Sequence, residues 1–157
     1  MMPEESKYGE WPKSGEIDIA EARGNDMHYP LGGRDTYTST LHWGPSSSLD
    51  GFWRTTAGRK IRRSDFAETY HTFGLEWSED YLYTYMDSRL QNILYVGFKG
   101  KNTPKTMWDR GGWKQTFVNS TLIQDPWSQT GNANTPFDES FFLILNVAVG
   151  STNGWFL

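Results

Sequence analysis

Apolar and polar residues alternate along most of this chain with a period of two, the signature of β-strands with one face covered and one open. Glu16 to Ala22 alternates charged and apolar residues, which suits a strand facing solvent or a cleft on one side. Thr36 to Trp43, rich in Thr, Tyr and Trp, stops at the turn signal Gly44-Pro45. Tyr70 to Trp77 and Tyr81 to Met86 predict a hairpin closed at Ser78-Glu79-Asp80, and Ser88-Arg89 turns into a further strand over Leu90 to Val96. The apolar run Phe141 to Val149, broken only by Asn146, predicts a strand buried on both faces. Between them, Lys99 to Glu139 is polar and rich in Gly, Pro, Asn and Trp. It predicts a long loop that lines a ligand site, with a turn of helix over Trp113 to Val118. No sustained helical period, internal repeat or linker interrupts the series. Short strands at regular spacing predict an all-β fold, a β-sandwich of the jelly-roll type.

A length of 157 residues is enough for one domain with a sizeable core. Composition then narrows the partner. Aromatic residues make up 16%, and the net charge is only -4, so the basic patch that a nucleic-acid partner demands is not provided. Many Trp and Tyr suit a surface that stacks on flat, uncharged rings such as sugars; filling a β core is the competing use of the same residues. The absence of cysteine rules out disulfides and thiolate metal sites. No segment reaches the roughly 18 to 20 apolar residues of a membrane helix, so no membrane partner is expected. Met1 to Glu5 has neither the basic nor the apolar region of a signal peptide. Asn119-Ser120-Thr121 is a glycosylation sequon, a triplet common by chance.

The chemistry gathers at Glu16, Asp18 and Glu21. On a regular strand residues i and i+2 share a face, so Glu16 and Asp18 point together while Glu21 points away. A β-bulge near Ile19-Ala20 would return Glu21 to the shared face. Glu16 and Glu21 would then lie about two pleat repeats apart, on the order of 13 Å between backbones. Side chains leaning together shorten that to several Å, near the roughly 5 to 5.5 Å that suits a double-displacement, retaining glycosidase. The bland alternative is three solvated acids on an exposed strand, yet like charges along one strand face repel and strands are depleted in Asp and Glu. A Ca²⁺ or Mg²⁺ site is a weaker rival, because no Asp- or Gly-rich cation loop accompanies the acids; neither metal nor cofactor is expected.

The segment Ser14-Gly15-Glu16-Ile17-Asp18-Ile19-Ala20-Glu21-Ala22-Arg23-Gly24-Asn25 resembles the signature of glycoside hydrolase family 16, in the bulged E-x-D-x-x-E form typical of laminarinase-like endo-β-1,3-glucanases. Tyr8 to Pro12, Ser39 to Gly44, Phe73 to Trp77 and Phe142 to Gly150 match further family segments in order. The resemblance implies cleavage of β-1,3-glucan, with mixed β-1,3/1,4 chains as a further substrate. Glu16 would be the nucleophile and Glu21 the general acid/base. Asp18 would orient Glu16 and help hold its pKa low, while repulsion pushes Glu21 up. His42 and Trp43 would face the cleft from the next strand, with Asn146 lining it from another. Trp11 and Trp113 are the candidate sugar platforms, with Trp108, Trp127 and Trp155 behind them. Arg23 would pair with an acid or bond a sugar hydroxyl. Met1-Met2-Pro3 and residues 150–157 resemble segments that lie inside the family domain, so the chain is expected to be its central part. An extracellular or cell-wall monomer acting on β-glucan follows from the resemblance. Two other outcomes share it: glucan-recognition proteins, which typically lose one or both Glu, and transglycosylases, which keep all three acids.

Overall fold

A computed structural model describes residues 1–150 and 152. In chain order the strands are β1 (Met2–Pro3), β2 (Glu16–Ala22), β3 (Thr36–His42), β4 (Thr56–Lys60), β5 (Phe73–Trp77), β6 (Tyr81–Met86), β7 (Ser88–Gly97), β8 (Phe117–Val118), β9 (Thr121–Leu122) and β10 (Phe141–Phe142). Two three-stranded antiparallel sheets, β2-β3-β4 and β5-β6-β7, form the body, while β1 pairs with β10 and β8 with β9. The architecture is the all-β sandwich that the strand spacing predicts.

Alternation on β3 explains how the sheets meet. Tyr37, Ser39 and Leu41 point inward and are essentially inaccessible, whereas Thr36, Thr38 and His42 keep some exposure on the other face. Ile17 joins them from β2, and Leu82, Leu94 and Val96 answer from β6 and β7. A polar bridge crosses this apolar layer. Thr84 Oγ1 donates to Ser39 Oγ at 2.9 Å, and Ser39 Oγ donates to the Ile19 carbonyl at 2.6 Å. Buried hydroxyls need such partners, since an unmade bond costs about 1 to 3 kcal/mol.

The stretch from Lys99 to Glu139 does not line the recesses beside the acids. It supplies Met107, Trp108, Trp113, Trp127 and Phe137 to the core. Its helix, α1, spans Met107–Gly111 rather than Trp113 to Val118. The Thr106 side chain caps it by accepting from Asp109 N at 3.1 Å, and Gly112 ends it at φ 75°. Asn119 and Ser120 both have positive φ at the tip of the β8–β9 hairpin, which puts the sequon in an exposed turn. The run from Phe141 departs most from expectation. Only Phe141–Phe142 form a strand, and residues 143–150 are exposed instead of buried on both faces.

Candidate active site

The register between β2 and β3 sets the site. Glu16 lies opposite His42, Asp18 opposite Thr40 and Glu21 opposite Thr38, with a shift of register between Asp18 and Glu21. Directly opposed residues in an antiparallel pair share a face, so the shift puts all three acids on the side of Thr38, Thr40 and His42. The bulge predicted at Ile19-Ala20 is present, and the Ser39 hydroxyl satisfies the Ile19 carbonyl that the broken ladder leaves over.

Two recesses open on this face and meet at Glu21. One, of about 550 Å³, is lined by Glu16, Asp18 and Glu21 together with Phe73 and Leu143 to Asn146. The other, of about 510 Å³, is lined by Glu21, Arg23, Leu31, Thr38, Thr40, His42, Phe52 and Thr56. Asn146 lines the same recess as the acids, from a segment that is not a strand. His42 sits beside the acids: its Nε2 is 3.3 Å from Asp18 Oδ2, and its Nδ1 is 2.5 Å from Asp50 Oδ2. Burial opposes a charge on this ring, but the bonds to Asp18 and Asp50 outweigh it and raise its pKa to about 10.

Both glutamates are shifted upward, chiefly by burial and next by the charge of Asp18. This corrects the expectation that Asp18 holds Glu16 low, because a carboxylate beside a carboxylate can only repel it. What pulls Glu16 back down is a bond from Trp11, whose Nε1–H donates to Glu16 Oε2 at 2.7 Å, and then the His42 cation. For Glu21 it is the charges of His42 and then Arg23 that oppose the rise.

The tryptophans divide sharply. Trp11 is 43% exposed, and its ring lies 5.6 Å from that of His42. Trp43 and Trp113, expected as sugar-facing rings, are core residues at 0% and 7% exposure. They contact each other at 5.1 Å, and Trp43 Nε1 donates to Thr55 Oγ1 at 2.8 Å. The reason is parity: Trp43 follows His42, and adjacent strand residues face opposite ways. Trp108 and Trp127 are buried as well, and Trp155 lies outside the described residues. Arg23 donates from Nη1 to the Leu31 carbonyl at 2.5 Å and so shapes the second recess.

Sequence reasoning missed two parts of this wall. Phe52 stacks on His42 at 5.4 Å and 26°, and Asp50 bonds that ring from behind. An acid before Gly51 reads only as a turn, and only the fold brings it under His42. Among the described residues, Glu16, Asp18 and His42 also offer ligand atoms within 4.8 Å of one another. With a carboxylate at each ring nitrogen, however, His42 can bond both only in the doubly protonated form, which has no lone pair for a metal.

The site is thus a pair of half-buried glutamates with an aspartate between them on one wall of an open recess. No family model matches the chain. It is 41% identical over 156 residues to a β-1,3-glucan-binding protein of Penaeus monodon, covering 99% of this chain and 38% of that protein. It is 35% identical over 151 residues to a glucan endo-1,3-β-glucosidase of Cryptopygus antarcticus, covering 96% of this chain and 43% of that protein. A glycoside hydrolase family 16 endo-glucanase from Bacteroides ovatus superposes with a TM-score of 0.46 at 23% identity, over 64% of this chain and 40% of the other. Its sequence relatives thus carry the names of a β-1,3-glucan-binding protein and of a glucan endo-1,3-β-glucosidase. It spans about two fifths of the length of the first two relatives.

Proposed function

We propose that this chain is the central part of a catalytic domain that cleaves β-1,3-glucan, and mixed β-1,3/1,4-glucan, within the chain and with retention of configuration. Glu16 is the nucleophile, Glu21 the general acid/base, and Asp18 the charge between them. The observation that carries the reading is the register shift that turns Glu21 onto the face of Glu16 and Asp18. A retaining cycle starts with an ionised nucleophile and a protonated acid. Burial and the charge of Asp18 raise both pKa values, and Trp11 and His42 oppose the rise at Glu16, so the proton is favoured more at Glu21 than at Glu16. The protein acts as an extracellular or cell-wall monomer in this reading.

A second reading is glucan binding without turnover, favoured by the similarity to the Penaeus monodon glucan-binding protein. Retention of all three acids favours turnover. Incubation with laminarin, lichenan and curdlan, followed by sizing of products, separates the two: hydrolysis releases short oligosaccharides, and binding alone retards the protein on immobilised glucan with no new reducing ends. Azide then assigns the roles. Glu21→Ala with azide should yield a β-glycosyl azide and Glu16→Ala an α-glycosyl azide. The reverse pairing would exchange the two roles, and full activity in both variants would end the hydrolase reading.

A further inference from the structure

We propose that Asp50 is a positioning residue: it fixes His42 from behind, and His42 in turn holds Asp18 in place beside Glu16. The inference rests on the reading of Glu16, Asp18 and Glu21 as the reacting acids and extends it to a residue on no strand of the site.

Asp50 is built in on three sides. Its Oδ1 accepts from the backbone N–H groups of Trp43 at 3.2 Å and Phe52 at 3.1 Å, and its Oδ2 lies 2.5 Å from His42 Nδ1. The side chain is only 7% exposed. The backbone that carries it has little freedom, because Gly51 N donates to the Trp43 carbonyl at 2.7 Å. A Cβ at Gly51 would also stand 2.8 Å from the buried Trp43 ring. The two bonds from backbone N–H groups are what any loop-closing aspartate makes. The third points elsewhere, at an imidazole.

That imidazole is packed against two rings: Trp11 lies 5.6 Å from it and Phe52 stacks on it at 5.4 Å and 26°. Nδ1 is committed to Asp50, so Nε2 is left aimed at Asp18 Oδ2. A ring with a carboxylate at each nitrogen bonds both only as the doubly protonated cation. The charged groups facing it are Asp50 from the loop and Glu16, Asp18 and, further along, Glu21 from β2. Without Asp50, the surplus of acids on β2 would face a ring free to become neutral, and Asp18 would lose the donor that sets its rotamer. Orientation of an active-site ring by a carboxylate behind it is a recurrent device, best known for metal-bound histidines.

The test is Asp50→Asn, which keeps an oxygen for the two backbone donors but offers His42 no anion. Laminarin turnover should show kcat reduced about 10- to 100-fold, with KM changed less than about threefold, as for lost orienting partners elsewhere. In a His42→Gln background the same substitution should cost less than about threefold, because residues that act through one another are non-additive. Ring ¹⁵N spectra supply a readout apart from activity: His42 should carry protons on both nitrogens at neutral pH in the wild type and lose one in Asp50→Asn. A wild-type ring with a bare nitrogen overturns the proposal even if Asp50→Asn fails to fold. So do unchanged His42 signals in the variant, or losses from Asp50→Asn and His42→Gln that simply multiply. An inactive wild-type protein would end the hydrolase reading and leave the ring spectra to decide this one.

Discussion

Replacing Trp11 by phenylalanine keeps an aromatic ring beside His42 and removes only the indole N–H that donates to Glu16 Oε2 at 2.7 Å. A hydrogen bond to a charged acceptor contributes about 1.5 to 3 kcal/mol. With Trp11 43% exposed, water replaces part of the lost bond, so about 1 to 2 kcal/mol is the reasonable range. That equals roughly one pKa unit, and the direction is fixed: the bond favours the anion, so its loss raises the Glu16 pKa further. If Glu16 must be ionised to attack, the acidic limb of the kcat/KM profile should move toward neutral by about one unit. Activity should then fall about tenfold below the limb and little above it. The limb belongs to the coupled acids rather than to Glu16 alone, so its movement is read, not its absolute position. Initial rates of reducing-end release from laminarin across pH measure this directly. A variant whose acidic limb stays in place while KM rises equally at every pH would show that Trp11 serves as a sugar platform and does not govern Glu16.

Two further substitutions probe the corrected parts of the picture. Trp43→Ala should destabilise the fold by about 3 to 5 kcal/mol through the cavity it leaves. The turnover of molecules that remain folded should be unchanged; an unaltered melting temperature with a raised KM would return Trp43 to the cleft. Glu21→Gln should abolish glucan hydrolysis yet raise the melting temperature at neutral pH. The folded pKa of Glu21 is raised, so its ionisation costs stability above that pKa, and the cost is absent below the ordinary value of 4.5. The gain should therefore vanish on acidification past that point; a gain independent of pH would mean the charge is not its source.

How far the chain could be read in advance follows from what each signal encodes. Spacing carried the acids well: an odd interval between Asp18 and Glu21 implies a bulge if both are to face one cleft, and the bulge is there. Alternation likewise located β3, β6 and most of β7. Composition could not separate a tryptophan that stacks on sugar from one that fills a core, because both want the same large apolar ring. Trp43 and Trp113 were misjudged for that reason, although the parity of Trp43 next to His42 already pointed inward. β4 escaped notice because Thr56-Ala57-Gly58-Arg59-Lys60 is an edge strand with little apolar alternation. The run after Phe142 shows the opposite limit: apolar sequence expresses a demand for burial, and strand structure needs partners that meet it. Asp50 was illegible because its role exists only through a ring eight positions earlier in the chain.

An extra residue usually inverts every side chain beyond it and so ruins whatever lies downstream on the strand. In β2 the inversion is spent over Ile19 and Ala20, and by Glu21 the strand is again in step with Thr38 across the ladder. The two ends of β2 are thus out of phase with each other and each in phase with β3. Removing one residue between Asp18 and Glu21 would bring the halves into a single phase while leaving the same three acids on the same face. The acid set therefore tolerates the loss of one residue at its own centre, because the shortened strand keeps all three acids at alternate positions.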